Sequence, residues 1–362
     1  MTAAARAATD ATATMTPPEA SDVASRWLDS FERRRPVPRR RQDKGSVDLN
    51  TTQRPEAGGR FAIWLIVEAA RRFGRRFVRP FLYPITLYFY LRRGVERRAC
   101  AQYLARIRGR PAGAFAVLAH IHTFSSIVLD RVILLVRGFD PFEVRLHGYE
   151  QLQAQIARGN GVLLLGAHLG SFEALSVLRQ VRQDVQLKVI MDGQQTRDFN
   201  KLLYMLNADM SGQIIEVGTD PGEFALQLQA VVAKGGVIGM LGDRIRDGER
   251  AVNAQFLGAP AQFPAAPYLI ASMLKVPIVL GFGIYRGGNR YDLHFEVLGE
   301  SIQIDRARRE PMLRDWAQRY AGRMEHYARL APYNWFNFYD FWRSAAEPCA
   351  DPAVSLAGGG AR

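Results

Sequence analysis

His168 and Glu173 are the residues of this sequence whose types and spacing best suit acid–base chemistry. His168 follows the apolar run Val162–Leu165 and a Gly166-Ala167 turn, and Glu173 comes five residues later. A carboxylate near an imidazole fixes its tautomer and stabilises its protonated form, so the other ring nitrogen can act as a general base toward an alcohol. The pair therefore predicts general-base catalysis, and no serine or cysteine nucleophile motif lies beside it.

The distance between these two side chains depends on the local structure. In a continuous helix, residues five positions apart are rotated by about 140° and point away from each other. Glu173 can fold back onto His168 only if His168 is still on the turn before the helix. Judged by spacing alone, a capping glutamate and a hydrogen-bonded turn histidine remain the alternative.

A strand and a helix start are expected to position the pair. The apolar run between Gly161 and Gly166 is typical of a buried strand, and Ser171 followed by an acidic residue is typical of a helix start. His168 is therefore predicted at the carboxyl end of a strand. Open α/β sheets bind their ligands at this edge.

The segment from His168 to Glu173, HLGSFE, preceded by GVLLLGA, resembles the H-x4-D/E motif of the glycerolipid acyltransferase superfamily. More narrowly, it resembles the lipid A biosynthesis (lauroyl/myristoyl) acyltransferases of Gram-negative inner membranes. The resemblance runs from about Arg79 to Trp342. It implies that His168 activates an acceptor hydroxyl, that Glu173 orients the imidazole, and that a thioester donor gives up its acyl group.

A second block, GGVIGMLGDRIRDG, matches the G-x-V-x-x-x-x-D pattern of the same family and places Asp243 at the sheet edge near His168. The family usually follows this aspartate with glutamine or a similar polar residue, whereas here Arg244 follows. The resemblance implies that Asp243 and Arg244 hold a polar acceptor, although a turn carboxylate and a surface charge remain alternatives. Backbone N–H groups between Gly166 and Gly170, or at the Asp243-Arg244 turn, are expected to stabilise the oxyanion.

A third block, AQFLGAPAQFPAAPYLIA, resembles the F-F-G-x-P-A…G-x-x-x-L-A pattern of the family. Phe256, Gly258 and Pro260 stand at matching positions. The resemblance therefore implies that these residues, together with Gly170, bind substrate.

Two departures from the family concern the acceptor. The segment before the strand QIIEV has no arginine, and the family's W-x-H-R-R-F block is replaced by the aromatic run Asn334–Trp342. The loss of these cations removes contacts to phosphates of the acceptor, which argues against a phosphorylated disaccharide. The aromatic ending is similar to a branch of the family found with polyketide-like pigment lipids such as aryl polyenes.

The net charge of +13 is concentrated in one segment. Residues 61–110 hold 12 arginines and 2 glutamates, whereas residues 111–362 hold 25 charges of each sign. Arginines interleaved with aromatic residues suit the headgroup level of an anionic membrane surface. The apolar runs Phe61–Val67 and Phe81–Leu91 are shorter than the roughly 20 residues that a spanning helix needs. A basic helix packed on the core and a strained single span remain alternatives, while nucleic-acid binding lacks any supporting motif.

The pattern of elements predicts an α/β fold: an acyltransferase-type mixed sheet flanked by helices, with an N-terminal helical, basic and aromatic membrane-binding segment. The expected organisation is a disordered tail (1–60), the membrane-associating segment (61–110), the α/β domain (111–345) and a second disordered tail (346–362). The predicted strands are Val162–Leu165, Leu187–Met191, Gln213–Val217, Val237–Asp243 and a hairpin turning at Gly287-Gly288-Asn289. The predicted helices that follow Glu173 are Arg197–Leu206, Asp220–Lys234, Phe263–Lys275 and Arg309–Leu330.

Cysteine usage and the N-terminal composition bear on the compartment. Cys100 and Cys349 are far apart and form no disulfide or metal spacing, which favours a reducing environment. The N-terminus has no apolar run typical of a secretory signal. We therefore expect a protein on the cytoplasmic face of the inner membrane, with no metal and no cofactor.

These expectations combine into a membrane-associated acyltransferase. The donor is expected to be a thioester of acyl carrier protein or coenzyme A, since a basic face suits either acidic donor. The acceptor is expected to be a lipid or glycolipid, and nucleic acid is not an expected partner. A thioesterase-like hydrolase and a catalytically idle lipid-binding scaffold are the alternatives.

Overall fold

The computed structural model describes residues 68, 72, 74–176, 178, 184–191, 214–217, 221–246 and 248–342. Every described residue belongs to one compact unit, Gln53–Arg362. The predicted disordered tails and the predicted helix Arg197–Leu206 lie outside the described residues.

The described part of the chain alternates between helices and strands. The helices are α1 (Leu82–Arg92), α2 (Gly94–Arg108), α3 (Ala114–Arg137), α4 (Tyr149–Ala157), α5 (Pro221–Val232), α6 (Ala266–Leu274) and α7 (Arg309–Leu330). The strands are β1 (Glu143–His147), β2 (Val162–Gly166), β3 (Leu187–Met191), β4 (Ile214–Glu216), β5 (Val237–Leu241), β6 (Ala251–Phe256), β7 (Ala259–Pro264), β8 (Ile278–Tyr285) and β9 (Arg290–Gly299). Two short 3₁₀ helices cover Arg79–Phe81 and Glu173–Ser176.

Seven of the described strands form one mixed sheet in the order β1-β9-β8-β2-β5-β3-β4. β2 is parallel to β5 and β8, whereas β9 is antiparallel to β8 and β1 is parallel to β9. The carboxyl ends of β2, β5 and β8 therefore meet the amino ends of β1 and β9 at one edge, which we call the His168 edge. The predicted mixed α/β sheet flanked by helices is confirmed.

The central strands are buried because helices and loops cover both faces of the sheet. All residues of β2 and β8 are buried, as expected for strands that read as continuous apolar runs. β9 alternates instead, with Tyr291, Leu293 and Phe295 buried and the residues between them partly exposed. The core therefore lies around β2 and β8, directly beneath the His168 edge.

The N-terminal helical segment is attached to the sheet through a buried carboxylate. Asp130 of α3 accepts hydrogen bonds from Arg75 Nη2 at 2.9 Å and from the Tyr291 hydroxyl of β9 at 2.8 Å. α3 also packs against α1 and α2. The helical character predicted for residues 61–110 is thus confirmed where the structure describes them, and Arg75 is bound to the protein rather than free on the surface.

Among the described residues, one helix, Ala114–Leu134 of α3, is long and apolar enough to cross a membrane by length and composition. Its mean hydropathy is 1.4, and 56% of it is buried inside the protein. A core helix passes the same test, so α3 alone is weak evidence for a span.

Most predicted elements are confirmed with shifts of one or two residues at their ends, but one helix prediction was partly wrong. Helix α6 begins at Ala266, and Phe263 lies in β7. The β6–β7 hairpin was not predicted because its turn consists of Leu257 and Gly258, with φ of 51° and 76°. Such two-residue turns usually contain Asn-Gly, and leucine rarely adopts this conformation.

Candidate active site

His168 and Asp243 meet at the His168 edge because of the pairing between β2 and β5. The register pairs Gly166 with Leu241, so the residues two positions beyond each strand lie side by side. His168 Nδ1 lies 2.9 Å from Asp243 Oδ1, and the backbone N–H of His168 donates to Asp243 Oδ2 at 3.1 Å. The predicted position of Asp243 near His168 is confirmed.

Trp335 completes the environment of the Asp243 carboxylate. Its indole Nε1–H donates to Asp243 Oδ2 at 3.0 Å, and both side chains are buried. Burial alone would raise the pKa of Asp243, but the charge of His168 and its hydrogen bond, with smaller effects of Arg244 and Trp335, lower it to about 2. Asp243 is therefore ionised and accepts a proton-bearing Nδ1, which leaves the lone pair of His168 on Nε2.

Glu173 is placed differently from the prediction. It begins the 3₁₀ helix after the catalytic turn, and Ser171 caps this helix by accepting the Ala174 N–H at 3.2 Å. Its carboxylate lies 2.9 Å from Arg131 Nε of α3. The residue that orients Nδ1 is thus Asp243, not Glu173, because sheet pairing brings Asp243 alongside the imidazole.

The protonation of His168 is set by opposing effects. Burial and the positive charge of Arg244 lower its pKa below the ordinary value of 6.5, while Asp243 and the charge of Glu173 raise it less strongly. The side chain is 31% exposed, so one side of the ring is accessible. The imidazole is therefore neutral near pH 7, which is the form that a general base requires.

The segment 334–336 holds the His168 turn in place. Gly170 N–H donates to Asn334 O, and Phe336 N–H donates to His168 O, both at 2.8 Å. His120 Nε2 lies 2.9 Å from Trp335 O and is itself buried. His120 therefore supports the aromatic segment from behind.

A model of the bacterial lipid A biosynthesis acyltransferase family matches residues 135–344, more than half of the chain. The chain belongs to this family. The region of the acyltransferase that matches the family runs from the end of α3 through the aromatic segment, and it includes His168, Glu173 and Asp243. No curated protein matches the chain in sequence.

Arg244 lies next to the base in this acyltransferase. Its Nη2 donates to Phe336 O at 2.8 Å, and its guanidinium lies 5.8 Å from the centre of the Tyr339 ring. It is partly buried and close enough to lower the pKa of His168. Its charge is thus directed toward the catalytic side of the turn.

Other predicted substrate-binding residues have structural contacts. Both oxygens of Asp243 accept N–H groups of the protein, so it positions His168 rather than holding an acceptor. Phe256 is buried against Trp335 at 5.1 Å between ring centres and reaches the site only through it. Gly258 and Pro260 are exposed in the β6–β7 hairpin.

Gly170 is required for a close approach of two backbones. Its φ of 74° is unfavourable for other residues, and a Cβ would overlap the carbonyl oxygen of Gly283. The N–H groups of His168, Gly170 and Ser171 donate to Asp243, Asn334 and Gly283. The N–H groups of His168 and Gly170, two of those in the predicted Gly166–Gly170 turn, are therefore already engaged within the protein.

Metal ligands were not predicted, but one group of described residues has suitable geometry. The ligand atoms of His147, Asp292 and His294 all lie within 4.8 Å of one another. Arg286 Nε lies 3.1 Å from Asp292 Oδ2. The group is on β1 and β9, outside the set of residues around His168.

The Asp243→Asn variant should keep its fold but lose most of its turnover. An amide can donate to Nδ1 and stabilise the wrong tautomer, which costs about 10²–10⁴-fold in kcat in comparable base–carboxylate pairs. Steady-state kinetics and thermal melting of the purified variant measure both quantities. A Trp335→Phe variant is the control: it removes one donor and should reduce kcat less. Equal kcat in the parent and Asp243→Asn would contradict the assigned role.

The Arg244→Gln variant should move the acid limb of the pH–rate profile to higher pH. Arg244 disfavours the protonated imidazole, so its removal raises the pKa of His168 and the base form is lost at a higher pH. In the parent, the acid limb of kcat/KM should lie below pH 6.5. An Arg319→Gln variant on the exposed face of α7 should leave the profile in place. A profile unchanged by Arg244→Gln shows that Arg244 does not act on His168.

Proposed function

We propose that this acyltransferase moves a fatty acyl group from a thioester donor to a hydroxyl or amine of a lipid acceptor, with His168 as the general base. The observation that supports this most directly is the His168–Asp243 pair at the accessible edge of the sheet. It presents a neutral imidazole with its Nε2 lone pair on the side away from Asp243.

The reaction follows from this arrangement. Nε2 takes the proton of the acceptor hydroxyl while its oxygen attacks the thioester carbonyl, and the tetrahedral intermediate then breaks its C–S bond. The proton held on His168 passes to the leaving thiolate. Arg244, whose positive charge acts on His168, is proposed to stabilise the oxyanion, because a fixed cation is most effective where charge develops.

Glu173 is proposed to act on the proton transfer to His168 through its negative charge. It raises the pKa of His168 and so stabilises the imidazolium that forms as the proton is transferred. Its pairing with Arg131 also connects the 3₁₀ helix to α3. Glu173 is thus proposed as a positioning residue for the base.

The donor is proposed to be a thioester of acyl carrier protein or coenzyme A. Both are acidic, and the acyltransferase has a net charge of +13. Complementary charge accelerates the encounter of such partners.

Membrane attachment is proposed for the N-terminal helices. Phe77, Phe81, Tyr83, Tyr88 and Leu91 are each more than half exposed. Exposed arginines lie in the same N-terminal part of the described chain, namely Arg76, Arg92 and Arg98. Large aromatic side chains beside cations suit an interfacial position on an anionic bilayer. The cytoplasmic face of the inner membrane is the location we propose.

Acyl transfer should require both His168 and a lipid acceptor. Purified parent protein with an acyl thioester and membrane lipids should release thiol and form acylated lipid, and His168→Ala should abolish both. Without lipid, thiol release should be slow, because no nucleophile motif accompanies the base. Thiol titration and lipid mass spectrometry provide the measurements. Equal thiol release with and without lipid indicates a hydrolase, and full turnover by folded His168→Ala excludes the mechanism.

The variant Arg76→Gln/Arg92→Gln/Arg98→Gln should bind anionic vesicles more weakly than the parent. Each basic residue near an anionic surface contributes about 1 kcal/mol, so the expected loss is roughly 100-fold at low salt. High salt should weaken parent binding without abolishing it, because the aromatic contribution is not screened. Co-sedimentation with phosphatidylglycerol vesicles measures this.

The matched control replaces exposed arginines of α7 (Arg309→Gln/Arg314→Gln/Arg319→Gln) and should bind like the parent. Equal weakening in both triple variants would show that net charge, rather than the N-terminal segment, determines binding.

A further inference from the structure

A cavity of about 490 Å³ opens beside the His168 turn. Its wall includes the β8–β9 hairpin, β1 and the loop before Trp335. The polar residues that matter to its chemistry are Arg145, Tyr285, Arg286, Arg290, Tyr333 and Asn334.

The cavity lies at the same edge of the sheet as the base. β8 runs about four residues past the end of β2 and ends at Tyr285, and β9 begins at Arg290 on the neighbouring strand. Neighbouring strands are about 4.8 Å apart, which places β9 and β1 about 10 and 14 Å from β2. A substrate of modest length can therefore reach from the cavity to His168.

Asn334 connects the cavity wall directly to the catalytic turn. Its backbone oxygen accepts the Gly170 N–H at 2.8 Å, and its Oδ1 accepts the Tyr285 N–H at 2.8 Å. Its Nδ2 donates back to Tyr285 O at 3.2 Å. One residue of the cavity wall is thus hydrogen-bonded to the turn that carries His168.

The charge of the wall is positive. The wall contains three arginines and one carboxylate, Asp292. Asp292 Oδ2 lies 3.1 Å from Arg286 Nε. Arg145 is paired with Glu143 at the outer rim, and both side chains are largely exposed. The Arg290 guanidinium donates from Nη2 to Arg286 O at the long distance of 3.5 Å. A cation in this cavity would be repelled by the guanidinium groups, so the neighbouring His147–Asp292–His294 group does not favour a metal.

We propose that this cavity binds a phosphate ester of the substrate. The inference rests on the proposed acyl transfer and adds a recognition site to it. Guanidinium groups match phosphate oxygens in planar, two-point hydrogen bonding, and hydroxyl groups such as that of Tyr333 add further donors. This chain lacks the arginines of the family's W-x-H-R-R-F block. In the proposed site, arginines of β1 and the β8–β9 hairpin take their place.

The same hairpin contacts the proposed membrane segment. Arg79 Nη1 donates to Gly288 O at 3.2 Å, and Arg79 Nη2 donates to the Tyr285 hydroxyl at 2.9 Å. The cavity therefore lies next to the helices that would meet lipid headgroups. A phosphate could come from an acceptor headgroup or from the pantetheine arm of the donor.

Direct binding tests the inference without relying on turnover. If the phosphate belongs to the donor, isothermal titration calorimetry of the whole protein should show tighter binding of coenzyme A than of pantetheine. If the phosphate belongs to the acceptor, phosphatidic acid in nonionic detergent should bind more tightly than diacylglycerol. The Arg286→Gln/Arg290→Gln variant should bind the preferred phosphate probe at least about tenfold more weakly, since each substitution removes charge-assisted hydrogen bonds to the phosphate.

Two further variants control for side effects. Arg290→Gln keeps the Arg286–Asp292 pair intact and should still weaken phosphate binding. This variant therefore distinguishes the loss of a phosphate-binding arginine from repulsion of the phosphate by an unpaired Asp292. Arg158→Gln removes an arginine paired with Glu300 outside the cavity and should bind like the parent. In kinetics, the cavity variants should raise KM for the phosphate-bearing substrate with little change in kcat.

The outcomes separate this inference from the proposed function. A parent protein that transfers acyl groups but binds both members of each probe pair equally would overturn the phosphate site alone. Cavity variants that bind the probes as tightly as the parent would also overturn it. A parent that binds a phosphate probe through these arginines but performs no transfer would overturn the proposed function while supporting the site.

Discussion

The buried carboxylate of Asp243 is the group on which the rest of the site depends. It accepts hydrogen bonds from the ring and backbone of His168 and from the indole of Trp335. A hydrogen bond to a charged group such as this carboxylate typically contributes about 1.5–3 kcal/mol. The β2–β5 register, the His168 turn and the aromatic segment must therefore be in place together. The Asp243 side chain thus contributes both to the stability of the fold and to the position of His168.

Charges around this carboxylate divide into two sets with different effects. Arg244 keeps His168 neutral before reaction, while Asp243 and Glu173 favour the imidazolium that forms during proton transfer. Farther along the His168 edge, arginines gather without an equal number of carboxylates. The base is thus neutral and partly exposed, while the approach along this edge is cationic, an arrangement suited to an anionic substrate.

Local features of the fold were accessible from the sequence. The run Val162–Leu165 with its flanking glycines predicted β2, and Ser171 predicted the helix start, because these signals act over a few residues. The β8–β9 hairpin and α7 were predicted for the same reason. The β6–β7 hairpin was missed, since its turn uses Leu257 in a backbone conformation that leucine rarely adopts.

The sequence by itself determined that His168 follows a buried strand at a sheet edge, and the H-x4-E resemblance indicated the chemistry. Only the tertiary structure decided its partner. Asp243 is 75 residues away and reaches His168 through the pairing of β2 with β5. Glu173 is five residues away yet lies against Arg131 of α3. Strand register is decided by long-range burial of apolar faces, so proximity in sequence could not identify the carboxylate that holds the imidazole.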